Sequence, residues 1–112
     1  MDKIKFAKVK DGAMIPSKRE EDAGYDIYAC FDEEYMIIEP HETKLIPTGI
    51  ASAFDDDYVM VLKERGSTGT KGMAQRCGVI DSGFRNEWSV PICNVNYNQS
   101  LLQILSQIVK LS

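Results

Sequence analysis

A ten-residue stretch from Lys63 to Gly72 combines the groups that usually surround a phosphate. It holds three glycines, three hydroxyl side chains and three cations. Backbone N–H groups and hydroxyls in such a loop can point at an anion, while Arg and Lys supply positive charge. The stretch is not a Walker A loop, because Thr70 separates Gly69 from Lys71 and Gly72 replaces the required hydroxyl residue. We predict a phosphate-binding loop, and a solvated hairpin loop is the alternative.

A second segment, residues 78–88, has the pattern of a β-hairpin with an Asp-Ser-Gly turn. An Asp in such a turn usually serves the turn itself. Here Phe84 and Arg85 follow Asp81 closely. A carboxylate suits a water molecule or a sugar hydroxyl, an aromatic ring suits a sugar face, and a guanidinium suits a phosphate. The combination favours a ligand site at this turn.

A third segment, residues 22–27, places Asp26 after Gly24 in a strand-like run. Glycine allows a ligand to approach the backbone closely. The carboxylate of Asp26 is either an ordinary polar group at a strand end or part of a metal or phosphate site. The pattern of residues alone leaves both interpretations open.

Charge is distributed unevenly along the 112 residues. Overall, 13 Lys and Arg oppose 17 Asp and Glu, for a formal net charge of −4. An acidic chain lacks the surplus of cations that binding to a nucleic-acid polymer or an anionic membrane requires. Residues 63–85 reverse this balance, with five cations against two anions (Lys63, Arg65, Lys71, Arg76 and Arg85 against Glu64 and Asp81). This local excess predicts a small anionic ligand.

The rest of the chain predicts the elements that would hold these segments. Short runs rich in Ile, Val and Tyr are separated by Gly, Pro, Asp and Asn at intervals of roughly 8–12 residues, as in an all-β barrel or sandwich. We predict strands at residues 4–9, 25–30, 35–38, 44–46, 49–54, 58–62, 78–80 and 87–93. Residues 40–42 predict a hairpin turn, and residues 55–57 an exposed loop.

The C-terminal segment has a different composition, because Lys110 is the only charged residue after position 87. Its apolar residues recur at helical spacing, which predicts a short C-terminal helix with one apolar stripe (Leu101, Leu102, Ile104, Leu105, Ile108 and Val109). An uncharged stripe on so small a protein also predicts contact with another subunit.

Residues 1–112 predict a single domain, because no linker or repeat divides them. The three cysteines, Cys30, Cys77 and Cys93, lie far apart and accompany one His, which suggests neither a disulfide framework nor a zinc site. The sequence begins with no signal-like apolar run and holds no apolar stretch of membrane-spanning length. We therefore expect a cytoplasmic protein. Its modest core would benefit from oligomerisation.

Three segments, in this order and spacing, resemble the motifs of the trimeric dUTP diphosphatases (dUTPases). Residues 23–27 (AGYDI) resemble the first motif, and residues 65–72 (RGSTGTKG) a variant of the second. Residues 78–85 (GVIDSGFR) resemble the third, which is the most specific. The resemblance covers about residues 1–95, and residues 96–112 form a divergent C-terminal segment. It implies a distorted jelly-roll β-barrel that assembles as a homotrimer, with nucleotide sites at subunit boundaries.

The resemblance also implies roles for the third-motif residues in hydrolysis of dUTP to dUMP and pyrophosphate. Asp81 would be the general base that orients the attacking water, and it would contact the deoxyribose 3′-hydroxyl. Phe84 takes the place of an aromatic residue that packs under the sugar and excludes a ribose 2′-hydroxyl. Gly78, Val79 and Ile80 would belong to the hairpin whose backbone recognises the uracil edge.

The other two motifs imply contacts with the triphosphate. Asp26 would help arrange a Mg²⁺-bound triphosphate through water. Arg65, Gly66, Ser67 and Thr68 would form the phosphate-contacting loop. Because Gly66 stands where many members have Ser, Ser67 or backbone N–H groups would substitute for that hydroxyl.

The sequence also departs from the family pattern. Asn86 stands where the third motif usually has Gly. The fourth motif, a strand that carries a Gln toward the α-phosphate, has a weak counterpart around Gln107. No fifth motif, a Gly-rich tail with an aromatic residue, follows, so we expect turnover below that of a homologue with the tail.

Two other functions fit parts of the pattern. A dCTP deaminase shares the barrel and a similar hairpin, but it needs a catalytic Glu about where this chain has Pro91. A catalytically weak or inactive barrel could instead bind a nucleotide or a protein. Elsewhere, His41 is expected to lie exposed in a turn, residues 55–57 to be solvated, and Trp88 and Tyr97 to be barrel or interface aromatics.

Overall fold

The computed structural model describes residues 4–21, 24–63, 72–76 and 78–96, together with the strand at residues 102–105. Within these residues the structure consists of strands, turns and extended segments, with no helix. Nine strands follow in chain order: β1 (Lys5–Lys8), β2 (Tyr35–Ile38), β3 (Thr43–Pro47), β4 (Ile50–Ala53), β5 (Met60–Val61), β6 (Met73–Gln75), β7 (Val79–Ile80), β8 (Ser89–Asn94) and β9 (Leu102–Leu105). The prediction of an all-β protein is confirmed.

The strands pair in four small antiparallel sheets. Three sheets are two-stranded, β1 with β4, β2 with β9, and β5 with β7. The fourth has the order β3-β8-β6, so β8 is its central strand. All of these pairs join strands that are not adjacent in the sequence. The fold therefore depends on contacts between distant segments, as in barrels with Greek-key connections.

Alternation of side chains along the strands builds a shared core. In β3, Ile46 is fully buried while its neighbour Leu45 is 65% exposed, because successive strand residues point to opposite faces. The largest fully buried side chains are Trp88, Ile38, Ile46, Ile50, Ile92 and Val90. The rings of Phe6 and Trp88 meet edge to face at 5.7 Å between centroids. The interpretation of Trp88 as a barrel aromatic is thus confirmed.

The C-terminal helix is not formed where the structure describes that segment. Residues 102–105 form β9, which pairs antiparallel with β2 through Tyr35 opposite Leu105 and Ile38 opposite Leu102. A short apolar run carries little helical preference of its own, and pairing with β2 satisfies backbone N–H and C=O groups on both strands. Tertiary pairing therefore overrides the helical spacing. The remaining residues of the predicted stripe lie outside the described residues.

Two hairpins expected from the sequence are absent, although both turns exist. The strand after Gly78 pairs with β5, and β8 pairs with β3 and β6, so the two sides of the Asp81 turn belong to different sheets. Likewise β2 and β3 flank a turn in which the Glu42 N–H donates to the Glu39 carbonyl at 3.0 Å, but they pair with other strands. The residues of a turn determine that the chain reverses direction there, but they do not determine which strands pair.

Two further predictions about strands need correction. Residues 25–30 form no strand ladder; Asp26 makes an isolated bridge with Ser17. β6 was not predicted, because its three residues give no periodic signal. By contrast, the strand at residues 35–38 was predicted with the bounds observed.

Cys30 and Cys93 are buried free thiols, and Cys77 lies outside the described residues. Within the described part of the chain, no helix has the length and apolar character needed to cross a membrane.

Candidate functional site

Asp81 and Phe84 stand on one short turn at the end of β7. The Phe84 N–H donates to the Asp81 carbonyl at 3.1 Å, which closes residues 81–84 into a turn. Asp81 is exposed, and Phe84 is 37% exposed although it is a large apolar side chain. A carboxylate and an aromatic ring are therefore presented to solvent from the same four residues. Such a pair can accept a proton or a hydroxyl hydrogen bond at one point and pack against a sugar at another.

Gly78 allows the strand that precedes this turn to approach β5 closely. Its carbonyl accepts a hydrogen bond from the Leu62 N–H at 2.6 Å. A Cβ on Gly78 would lie 2.6 Å from the Leu62 carbonyl oxygen, which also accepts from Gln75 Nε2 at 2.8 Å. No side chain fits at that distance. In the sequence, Gly78 stood out only because it belongs to the motif. The structure shows why a glycine is required, because the Leu62 carbonyl occupies the space of a side chain.

Val79 and Ile80 have different surroundings, although both were predicted for one uracil-binding hairpin. Ile80 is 9% exposed and belongs to the core, whereas Val79 is 66% exposed and pairs with Val61 of β5. The side chain of Ile80 therefore anchors β7, and its backbone pairs with Met60 of β5.

Two residues that follow the turn, Arg85 and Trp88, bind β4. The Trp88 N–H donates to the Ile50 carbonyl at 2.8 Å, and Trp88 Nε1 donates to Ser52 Oγ at 3.0 Å. Nη1 of Arg85 donates to the backbone carbonyls of Ser82 and Ser52, the latter at 3.4 Å. A guanidinium at this position suits a phosphate, whereas the structure directs this nitrogen at two carbonyls of the protein.

Glu87 is a supporting residue that the sequence analysis did not single out. Its Oε2 accepts a hydrogen bond from the Gly49 N–H at 2.8 Å and lies 3.0 Å from Lys10 Nζ. Gly49 has a φ of 71°, and a Cβ there would lie 2.8 Å from the Cβ of Ala13. One carboxylate thus joins the segment after the turn, the β3–β4 connection and the N-terminal segment. No local pattern marks this Glu, since its partners are distant in sequence.

Asp26 lies on a different segment from the Asp81 turn. Its N–H donates to the Ser17 carbonyl at 2.8 Å, and the residue is half-buried. Among the described residues, no group of three or more His, Cys, Asp or Glu is placed to hold a metal ion. Mg²⁺ usually keeps several waters and binds one or two carboxylates together with substrate phosphates. The half-buried carboxylate of Asp26 is compatible with that indirect role.

The predicted phosphate loop and the fourth-motif glutamine fall outside the described residues. This applies to Arg65, Gly66, Ser67 and Thr68, and to Gln107. The loop's C-terminal border is described: Gly72 has a φ of 81°, and its carbonyl accepts from the Val95 N–H at 2.9 Å. The side chain of Asn96 occupies the space where a Cβ on Gly72 would stand.

Asn86 fits its position without backbone strain. His41, with a φ of 63°, is the non-glycine residue at positive φ in the described part of the chain, so Asn86 does not need the left-handed conformation that favours glycine. His41 itself is exposed, as expected, and its N–H donates to the Asn94 carbonyl at 2.6 Å. Residues 55–57 are exposed as well, and the Tyr58 N–H closes their turn onto Asp55.

Comparisons with known proteins connect this geometry to one family. A sequence model described as dUTPase matches residues 10–109. A deoxyuridine 5′-triphosphate nucleotidohydrolase of Leptospira interrogans is 30% identical over 105 residues, which cover 90% of this chain and 72% of that protein. The enzyme of the same name from Neisseria meningitidis serogroup A is 40% identical over 76 residues, which cover 64% of this chain and half of that protein.

Solved structures give the same result for the fold. The dUTPase from phage phi11 of Staphylococcus aureus superposes with a TM-score of 0.77 at 26% identity, over 86% of this chain and 62% of that one. A mutant of that enzyme coordinates a structural Mg(II) ion. EIAV dUTPase superposes with a TM-score of 0.80 over 97% of this chain and 82% of that one, at 24% identity. These neighbours have the jelly-roll type fold, so the predicted architecture is confirmed.

Proposed function

The chain belongs to the dUTPase family, and we propose that it hydrolyses dUTP to dUMP and pyrophosphate. The observation that carries the proposal is the turn at residues 81–84. It presents an exposed carboxylate on Asp81 and a partly exposed ring on Phe84 directly after β7. A carboxylate that can act as a base and a ring that can pack against a sugar thus lie on one structural unit.

Asp81 is the proposed general base. Its carboxylate takes a proton from a water molecule while the water oxygen forms a bond to the α-phosphorus of dUTP. The bond between that phosphorus and the bridging oxygen to the β-phosphate breaks, and pyrophosphate leaves with the bonding electron pair. The second carboxylate oxygen of Asp81 can accept a hydrogen bond from the deoxyribose 3′-hydroxyl.

The sugar and the base are selected by the residues on either side of Asp81. The ring of Phe84 packs under the deoxyribose, where a ribose 2′-hydroxyl would collide with it. β7 pairs with β5 on one side, and no other described strand pairs with it. The Gly78 carbonyl already accepts from the Leu62 N–H, so within residues 78–80 the N–H and C=O of Val79, which point away from β5, are the groups proposed for the hydrogen-bonding edge of uracil.

The triphosphate is assigned to two other segments. Asp26 would hold Mg²⁺ through water, and the bound ion would offset charge on the phosphates. Arg65, Gly66, Ser67 and Thr68 would supply a guanidinium, a hydroxyl and backbone N–H groups to the phosphates. Gln107 would extend an amide toward the α-phosphate.

We also propose a cytoplasmic homotrimer. Several large apolar side chains are exposed on the single chain, including Leu45, Val61 and Val79. Such groups are usually covered in an assembly when they form a patch. The free thiols of Cys30 and Cys93 are typical of a reducing compartment.

The position of Pro91 argues against deamination. It lies within β8, opposite Leu45 of β3, at about the place where a dCTP deaminase would need its catalytic Glu. Proline carries no acidic or basic group, so this position supplies no proton transfer.

Pyrophosphate release from dUTP, dCTP, dTTP and UTP tests the proposal. We expect release from dUTP in the presence of Mg²⁺ and little from the other three nucleotides. Selective dUTP binding without release would instead support a nucleotide-binding module. Equal release from UTP would contradict the assignment of Phe84 to the sugar.

A further inference from the structure

The turn that carries Asp81 has little regular structure to hold it. β7 contributes two residues before the turn, and residues 81–88 belong to no strand. Within residues 81–84, the backbone hydrogen bond described above is local, from Phe84 to Asp81. A local bond shapes the turn but does not fix its position relative to the barrel.

Arg85 provides that connection. Its Nη1 donates to the carbonyl of Ser82, in the turn, and to the carbonyl of Ser52, in β4. Ser52 is 4% exposed and lies opposite Phe6 in the β1–β4 pair, so it belongs to the rigid part of the barrel. One guanidinium nitrogen thus ties an exposed turn to a buried strand 33 residues away.

Ser52 also binds Trp88, which lies at the other end of residues 81–88. Its Oγ accepts from Nε1 of Trp88, which is fully buried. The carbonyl oxygen and Oγ of Ser52 therefore bind two side chains that are three positions apart. These are Arg85, next to the turn, and Trp88, in the core. We name the contacts of Arg85 and Trp88 with Ser52 the Ser52 clamp.

We propose that Arg85 is a positioning residue, which holds the Asp81 turn against β4 through the Ser52 clamp. Its effect on turnover rests on the proposed function of Asp81. Ser82, whose carbonyl Arg85 binds, directly follows Asp81, so displacement of Ser82 displaces the carboxylate. Misplacing a catalytic group by about 1 Å can cost roughly 100-fold in rate.

The planar guanidinium is suited to this role. It carries five N–H donors in a fixed geometry, whereas the Lys ammonium is a compact group on a flexible stem. Arg85→Lys preserves the positive charge and loses the fixed geometry. Arg85→Gln loses both the charge and the reach to Ser52.

Two measurements on the full chain test the clamp. The first is the set of backbone ¹⁵N order parameters, with the turn (Ser82 to Phe84) compared with the core amides of Ile46 and Ile92, which lie outside the clamp. In Arg85→Gln we expect the turn values to fall from about 0.85 toward 0.6 or below, with unchanged core values. The second is steady-state dUTP hydrolysis, in which we expect kcat to fall about 10- to 100-fold and KM to change less.

Lys5→Gln is the matched control for loss of one positive charge. Lys5 is exposed in β1 and lies opposite Ala53, one residue from Ser52, but it is outside the clamp. The control should leave both measurements unchanged. In Arg85→Lys we expect an intermediate loss of order and of kcat, which a pure charge effect on the triphosphate would not produce.

Each result decides the proposal. Unchanged turn order parameters in both Arg85 variants would overturn it. A loosened turn with an unchanged kcat, in a chain that hydrolyses dUTP, would overturn the effect on catalysis. If the unsubstituted chain hydrolyses no dUTP, the proposed function fails on that result, and the order parameters alone decide whether Arg85 clamps the turn. Should Arg85→Gln fail to fold, Arg85→Lys provides the same comparison.

Discussion

The carbonyl oxygen of Leu62 lies 2.6 Å from the position that a Cβ on Gly78 would occupy. The same carbonyl accepts a hydrogen bond from Gln75 Nε2, and the Leu62 N–H donates to Gly78. Both polar groups of Leu62 are therefore engaged within this contact. β5 therefore lies so close to Gly78, the residue before β7, that no side chain fits there.

Gly78→Ala is predicted to destabilise the protein by about 1–3 kcal/mol, because the added methyl group must displace backbone. Chemical denaturation measures this difference in the free energy of unfolding. Gly83→Ala is the control, since a Cβ on Gly83 would meet nothing within 4 Å. Equal stabilities of the two variants would show that the contact at Leu62 relaxes without cost.

Asp81→Asn is predicted to lower kcat for dUTP by about 10²–10⁴-fold while nucleotide affinity changes little. The amide preserves the size of the side chain and accepts hydrogen bonds, but it cannot serve as the base. Stopped-flow pyrophosphate release gives kcat, and calorimetry with a non-hydrolysable dUTP analogue gives Kd. Asp55→Asn, in the exposed loop, is the control. An unchanged kcat in Asp81→Asn would remove Asp81 from the mechanism.

Glu87→Ala is predicted to cost about 1.5–3 kcal/mol of stability, because the Gly49 N–H loses a charged acceptor and Lys10 loses its ion-pair partner. Glu87→Gln should cost less, since an amide oxygen can still accept from Gly49. Thermal and urea denaturation of both variants provide the comparison. The prediction requires this order, and a Gln variant as unstable as the Ala variant would contradict it.

His41 occupies the left-handed region, with a φ of 63°. His41→Gly should therefore be neutral or slightly stabilising, whereas His41→Val should destabilise the protein by about 1–2 kcal/mol, because a β-branched residue is disfavoured there. The N–H bond from this residue to Asn94 belongs to the backbone and is kept in both variants. Melting temperatures of the pair test the prediction.

The proposed trimer predicts a sedimentation mass of three 12.6-kDa chains. Exposed Val61 and Val79 lie opposite each other on the β5–β7 pair, where a neighbouring subunit could cover them. Val61→Lys should weaken the assembly if this surface is buried, and Thr43→Lys, at an exposed position of β3 in the β3-β8-β6 sheet, serves as the control for an added surface charge. A soluble monomer at micromolar concentration would contradict the trimer.

The sequence by itself determined the features that depend on neighbouring residues. The Asp-Ser-Gly turn with Asp81 and Phe84, the β2 strand, the exposed His41 and the solvated Asp55 loop all follow from local turn chemistry and side-chain alternation. The order and spacing of three short motifs also pointed to the family, which the comparisons with known proteins confirm.

Tertiary structure decided everything that depends on which distant segments meet. Short apolar strands are interchangeable as pairing partners, so the sequence could not show that β7 pairs with β5 or that residues 102–105 form a strand on β2. Nor could it place Arg85 on the Ser52 carbonyl or Glu87 on Gly49, which are 33 and 38 positions away. Strand partners are selected by the shared core and by backbone hydrogen bonding across the whole chain, and no local pattern records that selection.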